Sequence, residues 1–177
     1  FLLVDSGATY MDSTTDITRT YPLGELTEDE KRFYTWTLQS HIDLAKAVWL
    51  DYCECKMIDT IAREPLWRHL INYRCGTGHS VSFVGNVHEG PHALNSRNTT
   101  RMRPGMVVTD EPGVYETDLV GIRIENELVC IHKADNQYGT FLAFRPLTFV
   151  PIATSPVVPG ILTKDEIEWL NAYHREV

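Results

Sequence analysis

A chain of 177 residues that is 43% hydrophobic and 23% charged has the size and composition of one globular domain. It carries enough apolar material to bury roughly 70% of its unfolded surface, which excludes wholesale disorder, collagen and coiled coil. Sixteen Lys and Arg against 24 Asp and Glu leave a net charge of −8, which argues against nucleic acid or an anionic membrane as partner, and no apolar run reaches bilayer-spanning length.

Phe1-Leu2-Leu3-Val4-Asp5 reads as a core strand already under way, so we expect the chain to be a piece of something longer. Ser6-Gly7-Ala8 predicts a turn, and Thr14–Thr20, alternately β-branched and polar, predicts the next strand. Pro22 and Gly24 break it. Thr27-Glu28-Asp29-Glu30 is a capping box, and the helix it starts places Tyr34, Leu38, Ile42, Ala45 and Trp49 on one stripe. A shorter helix is predicted around Ile58–Leu70, kinked or restarted at Pro65.

From Gly76 the texture changes to short strands and tight turns. Ser80–Val84, Met106–Asp110, Gly121–Ile131 and Thr140–Val150 are the strand candidates. Pro151, Pro156, Pro159 and Gly160 mark a surface connection, and Thr163-Lys164-Asp165-Glu166 is a second capping box opening a helix with Ile167, Trp169 and Leu170. Strands, helices, then strands with a closing helix predict an α+β fold over residues 1–177 rather than a βαβ sheet.

Cys53, Cys55, Cys75 and Cys130 lack zinc-ribbon spacing and are expected as free thiols in a reducing, cytoplasmic compartment. Trp36, Trp67 and Trp169 are candidates for a homodimer surface, against the plainer reading of core packing. His41, His69, His92, His132 and His174 read as surface or loop residues.

Five other residues carry chemistry. Asp5 ends an otherwise apolar run, Asp16 follows eleven residues later, His79 follows Gly76-Thr77-Gly78, Glu111 precedes Pro112-Gly113, and Glu125 shares a strand face with Arg123. Singly, each has a bland reading as a turn residue, a cap or a solvated stripe. Together, four carboxylates and one imidazole from several strand ends form a ligand set for two divalent cations. Such an oxygen-rich set suits Mn²⁺, with Zn²⁺, Co²⁺ and Fe²⁺ also compatible, and points to hydrolysis. Without cations the same cluster would be a knot of like charge.

The segment from Asp5 to Thr20 resembles the one that supplies two metal-binding aspartates in the Xaa-Pro aminopeptidase (aminopeptidase P) family. Gly76-Thr77-Gly78-His79 is similar to that family's metal-histidine loop, and Asn86-Val87-His88-Glu89-Gly90-Pro91 to its second histidine motif. Thr109-Asp110-Glu111-Pro112-Gly113 and Gly121-Ile122-Arg123-Ile124-Glu125-Asn126 resemble its two glutamate motifs. Phe144–Ile152 and Trp169–His174 resemble the tail of its longer members.

This resemblance implies a pita-bread fold holding two Mn²⁺ ions. Asp5 would bind one ion, Asp16 and Glu125 would bridge, and His79 and Glu111 would complete the second. The implied activity is release of an N-terminal residue from peptides with proline in second position. Glu111 would handle the proton of the attacking water, His88 would steady the substrate or the oxyanion, and Arg123 would brace the acidic cluster.

The chain departs from the family pattern at Cys75, where His is usual, and at Ser13, Ser80 and Ser82, where Gly is usual. A thiol at Cys75 is shorter and bonds weakly, and Ser80 and Ser82 are expected to narrow the substrate pocket. The family's upstream helices and N-terminal domain have no counterpart here, so metal binding with weak or no peptidase activity is expected of the isolated chain. Two rival readings are an Xaa-Pro dipeptidase and a non-catalytic pita-bread module that binds peptides or proteins.

Overall fold

The computed structural model describes residues 1–177. Strands β1 (Leu2–Thr9) and β2 (Thr14–Tyr21) form an antiparallel hairpin in which Asp5 faces Thr18 and Gly7 faces Asp16. Ser6-Gly7-Ala8 therefore does not turn the chain. The turn lies at Tyr10–Ser13, closed by Tyr10 N–H donating to the Ser13 carbonyl at 2.7 Å. Gly7 serves close approach instead: a Cβ there would stand 2.9 Å from the Thr15 carbonyl oxygen.

Helix α1 (Glu28–Ala45) starts at the predicted capping box, with Thr27 N–H donating to Glu30 Oε2 at 2.7 Å and Glu30 N–H to Thr27 Oγ1 at 3.3 Å. It ends before Trp49, which sits on β3 (Val48–Leu50) and is buried from there. Helix α2 (Cys55–Trp67) begins and ends three residues earlier than expected and runs straight through Pro65. Pro65 falls in the last turn, where its missing N–H forfeits only one intrahelical bond.

The remaining elements are β4 (Gly78–His79), β5 (Ala93–Leu94), β6 (Val107–Asp110), β7 (Gly113–Glu116), β8 (Val120–Arg123), β9 (Asn126–Asn136), β10 (Gly139–Pro146) and α3 (Lys164–Glu176). Strands β3, β10, β9 and β6 form one antiparallel sheet in that order, while β4 pairs with β5 and β7 with β8. The expected strand at Ser80–Val84 is a loop, attached by a single bridge from Ser80 to Val108. The expected strand at Gly121–Ile131 is two strands, interrupted at Ile124-Glu125 where the chain changes partner from β7 to β6. In that gap Glu125 N–H donates to the Thr18 carbonyl at 3.0 Å, tying the break to β2.

Helix α1 feeds both main cores. Its end, with Leu44 and Ala45, packs with Ile58 of α2 and with Leu128 and Leu142 of the four-stranded sheet. Its middle, with Tyr34, Leu38 and Ile42, packs against Ile122, Ile124 and the α3 residues Leu170 and Tyr173. Each wholly buried leucine contributes roughly 1.5–3 kcal/mol. Trp169 packs against these interiors and Trp36 against a smaller cluster of Leu66, Tyr73 and Val114, and Trp67 alone of the three is well exposed, at 44%. His41 is buried within α1 rather than on the surface or in a loop, and His92 lies in a loop but is buried. All four cysteines are free thiols, and no helix is long and apolar enough to cross a membrane.

Candidate metal centre

Four elements deliver side chains to one place. Period two along the hairpin sets Asp5 and Asp16 on one face, two positions apart in register. Glu125 enters from the gap between β8 and β9 and is 1% exposed. His79 ends β4, and Glu111 follows β6, held by its own N–H donating to the Thr77 carbonyl at 2.8 Å. One ligand atom each from Asp16, His79 and Glu125 lies within 4.8 Å of the others. His79 Nε2 stands 3.4 Å from Asp16 Oδ2 and 3.1 Å from Glu111 Oε1.

The aim of His79 is set by its surroundings. At Gly78 a Cβ would stand 1.8 Å from the Thr109 carbonyl oxygen, so only glycine lets β4 come this close to β6. His79 N–H then donates to Thr109 Oγ1 at 3.0 Å, and that hydroxyl donates to Glu111 Oε1 at 3.0 Å. The ring Nδ1 lies 3.1 Å from the Ser80 carbonyl, which leaves Nε2 for the carboxylates.

Asp5 sits at the rim. Its side chain is 53% exposed, and its carboxylate accepts a hydrogen bond from Arg123 Nη2. Arg123 binds the cluster together: Nε donates to Thr18 Oγ1 at 3.0 Å and lies 3.7 Å from Glu111 Oε2, while Nη1 donates to the Tyr115 hydroxyl at 2.9 Å. Thr18 Oγ1 in turn donates to Glu125 Oε2 at 2.7 Å. His88 closes the other side, its ring edge-on to that of His79 with centroids 4.0 Å apart. Cys75, His79, His88, Glu111 and Arg123 line a common open cleft of about 450 Å³.

Burial, with Glu111 close by, pushes the Glu125 carboxyl up to about 8. Burial likewise pushes Glu127 up to about 7, with the charge of Asp16 adding to it. Burial works against a charged His79, yet hydrogen bonds to Asp16 and Glu111 carry its pKa up to about 10. Glu125 Oε1 and Glu127 Oε1 are buried with no hydrogen-bond donor. Buried carboxylate oxygens without donors, facing an imidazole and further carboxylates, are the electrostatic setting that a divalent cation satisfies, so the donor set fits such an ion.

Several participants escaped the sequence reading. Glu127 lies two positions beyond Glu125, a spacing that could have flagged it. Thr18, Thr109 and Tyr115 hold the charged groups through hydroxyls, which no motif reveals. A buried network also backs the site: Arg19 donates to the Glu125 carbonyl, to Asn126 Oδ1 at 2.7 Å and to the Tyr173 hydroxyl at 3.0 Å. Asn126 Nδ2 lies 3.3 Å from His41 Nε2. Ser80 and Ser82 line a neighbouring cavity with Thr14 and Glu127 rather than this cleft. Both are buried, and Ser82 Oγ donates to the Asn86 carbonyl of its own loop at 2.7 Å.

Residues 1–132 match metallopeptidase family M24, and residues 140–177 match the C-terminal region of that peptidase family. Aminopeptidase P2 of Arabidopsis thaliana is 46% identical over 181 residues, covering 99% of this chain and 25% of the relative. A solved structure of X-prolyl aminopeptidase from Caenorhabditis elegans, described as a cytosolic enzyme with a di-nuclear active site, superposes with a TM-score of 0.92. It is 40% identical and covers 98% of this chain and 29% of that one. Prolidase from Pyrococcus furiosus gives a TM-score of 0.71 at 29% identity, over 82% of this chain and 40% of that one. The chain thus spans about a quarter of the length of its sequence relatives. With its α+β pita-bread fold, this chain belongs to metallopeptidase family M24.

Proposed function

We propose that the chain is the metal-binding part of an Xaa-Pro aminopeptidase, which removes the first residue of a peptide whose second residue is proline. The observation that carries this is the convergence of Asp16, His79 and Glu125 within 4.8 Å of one another, with Glu111 3.1 Å from His79 and a buried Glu125 oxygen that lacks a donor. The likeness to an enzyme described as having a di-nuclear active site supports it.

Asp5, Asp16, His79, Glu111 and Glu125 would hold two divalent cations, and four carboxylates with one imidazole favour Mn²⁺. Such ions supply Lewis acidity and lower the pKa of a water molecule. Glu111, oriented by Thr109, takes the proton of the attacking water and passes it to the proline nitrogen as the carbon–nitrogen bond breaks. His88, which lines the same cleft as Glu111, steadies the developing oxyanion. Arg123 fixes Glu111 and Asp5, so its guanidinium limits how the carboxylates swing. Cys75 lines the same cleft and would touch substrate there. We infer a reducing, cytoplasmic setting from the four free thiols and from the cytosolic description of the worm enzyme.

The test is hydrolysis of Xaa-Pro-Xaa tripeptides and Xaa-Pro dipeptides by the purified chain, with Mn²⁺ and with chelator, alongside metal analysis. We expect two ions per chain and a preference for tripeptides, with turnover weak in this quarter-length chain. Cleavage of dipeptides alone would favour the prolidase reading, and a chain that takes up no metal would be a binding module.

A further inference from the structure

A second cleft opens beside the first, and its chemistry is opposite in sign. It has a volume of about 710 Å³ and shares Cys75, Gly76 and Asn95 with the candidate active site. Its lining contains three arginines, Arg63, Arg74 and Arg97, and no Asp or Glu, in a chain whose net charge is −8.

The three arginines play different parts. Arg63 is spent on structure: Nε donates to Asp59 Oδ2 at 2.8 Å, Nη1 to the Tyr73 carbonyl at 2.8 Å and Nη2 to the Cys75 carbonyl at 2.8 Å. It thereby pins the 72–75 loop to α2 and fixes where Arg74 leaves the backbone. Arg97 is set from the other wall, where Asn95 Oδ1 accepts from the N–H groups of Arg97 and Asn98, both at 3.0 Å. Neither Arg74 nor Arg97 has a carboxylate partner. Both are exposed. Trp67 supplies a flat, half-exposed face, with its Nε1–H donating to Asn72 Oδ1 at 3.1 Å.

We propose that this cleft is an anion-recognising subsite for the part of the peptide beyond the proline, with Arg74 and Arg97 pairing a substrate carboxylate. The inference rests on the aminopeptidase reading. An aminopeptidase of this type leaves one residue on the amino side of the cut, so everything longer lies on the carboxyl side. A cleft this large and open suits that longer stretch better than one terminal side chain. Two free guanidiniums at its mouth offer forked donors to a carboxylate, and the indole face packs against the neighbouring chain. The carboxylate comes either from a Glu or Asp side chain or from the peptide's own C-terminus.

The probes are Ala-Pro-Gln-Gln-amide, Ala-Pro-Glu-Glu-amide, Ala-Pro-Lys-Lys-amide and Ala-Pro-Gln-Gln with a free carboxylate. Each is titrated calorimetrically into the Mn²⁺-loaded chain and assayed for KM and kcat. We expect the Glu peptide to bind roughly 3–10-fold more tightly than the neutral amide, through KM rather than kcat, and the gain to fade with added salt. The Arg74→Gln/Arg97→Gln variant should lose that gain while handling the neutral amide like the parent chain. A gain confined to the free-acid peptide, and lost in the same variant, identifies the C-terminus as the carboxylate. Equal binding of the Glu, Lys and free-acid peptides, or a carboxylate preference that survives in the variant, overturns the proposal. Absence of turnover on every peptide would count against the aminopeptidase reading alone, because the calorimetric ranking still decides the subsite.

Discussion

His41 Nδ1 lies 3.2 Å from Asp110 Oδ2 in an environment where neither side chain has any solvent exposure. Burial pushes the Asp110 carboxyl up to about 6 against the opposing pull of His41, and Asp110 immediately precedes Glu111. Helix α1 thus reaches the candidate metal centre through one imidazole. We expect His41→Ala to cost about 3–5 kcal/mol, because it removes the one basic group beside a buried carboxyl whose oxygens have no other hydrogen-bond partner. Adding Asp110→Asn should recover part of that loss. Urea unfolding of both single variants and the double variant gives the coupling, expected at roughly 0.5–3 kcal/mol. Simple additivity would show that the two side chains are merely neighbours.

Mn²⁺ should stabilise the chain. At a free concentration one hundred times its dissociation constant, one bound ion adds about 2.7 kcal/mol, visible as a rise in Tm that EDTA reverses. Glu125→Gln and His79→Ala should each abolish most of that rise. The Gln variant keeps the shape of the site and so separates lost ligation from lost packing.

Arg123→Lys keeps the charge but loses the fork that reaches Asp5, Thr18 and Tyr115 together. We expect Mn²⁺ affinity to fall roughly 10–100-fold, the range seen when groups that orient metal ligands are changed. Isothermal titration of the metal-free variant measures it, and an unchanged affinity would mean that Arg123 serves only the substrate.

The Thr27 cap of α1 yields a pH-dependent prediction. Hydrogen bonds from the Thr27 backbone and side chain hold the Glu30 carboxyl below its usual 4.5. The ionised form is favoured in the folded chain, so this contribution is full above about 4.5 and is lost as pH falls through the lower folded value. Thr27→Ala should cost about 0.5–2 kcal/mol at neutral pH. That gap should narrow in acid, as chemical denaturation at pH 7 and pH 3 would show.

Features fixed by neighbours in sequence were readable in advance. The capping boxes at Thr27 and Thr163 form as expected, because every atom involved lies within four residues. Spacing and strand alternation also singled out Asp16, His79, Glu111 and Glu125, four side chains that the structure gathers around the His79 imidazole. What escaped depends on distant partners. Gly7 looked like a turn residue until the Thr15 carbonyl beside it supplied the reason for a glycine in mid-strand. The apolar alternation through Gly121–Ile131 hid a break that only β2 can satisfy, through the Thr18 carbonyl. His41 looked like a surface residue because its partners Asp110 and Asn126 are 69 and 85 positions away. Asp5 reads as a ligand by motif, while its hydrogen bond from Arg123, 118 positions on, is a contact no local pattern reveals.

The tight passage of β4 over β6 makes a hydrogen atom the largest substituent that Gly78 can carry. Adding a single methyl group there would push the strands apart, and the imidazole next door would swing away with its own backbone amide. Damage at this position would therefore spoil the aim of His79 together with the packing of the two strands. The residue with no functional group of its own governs where the chemistry points.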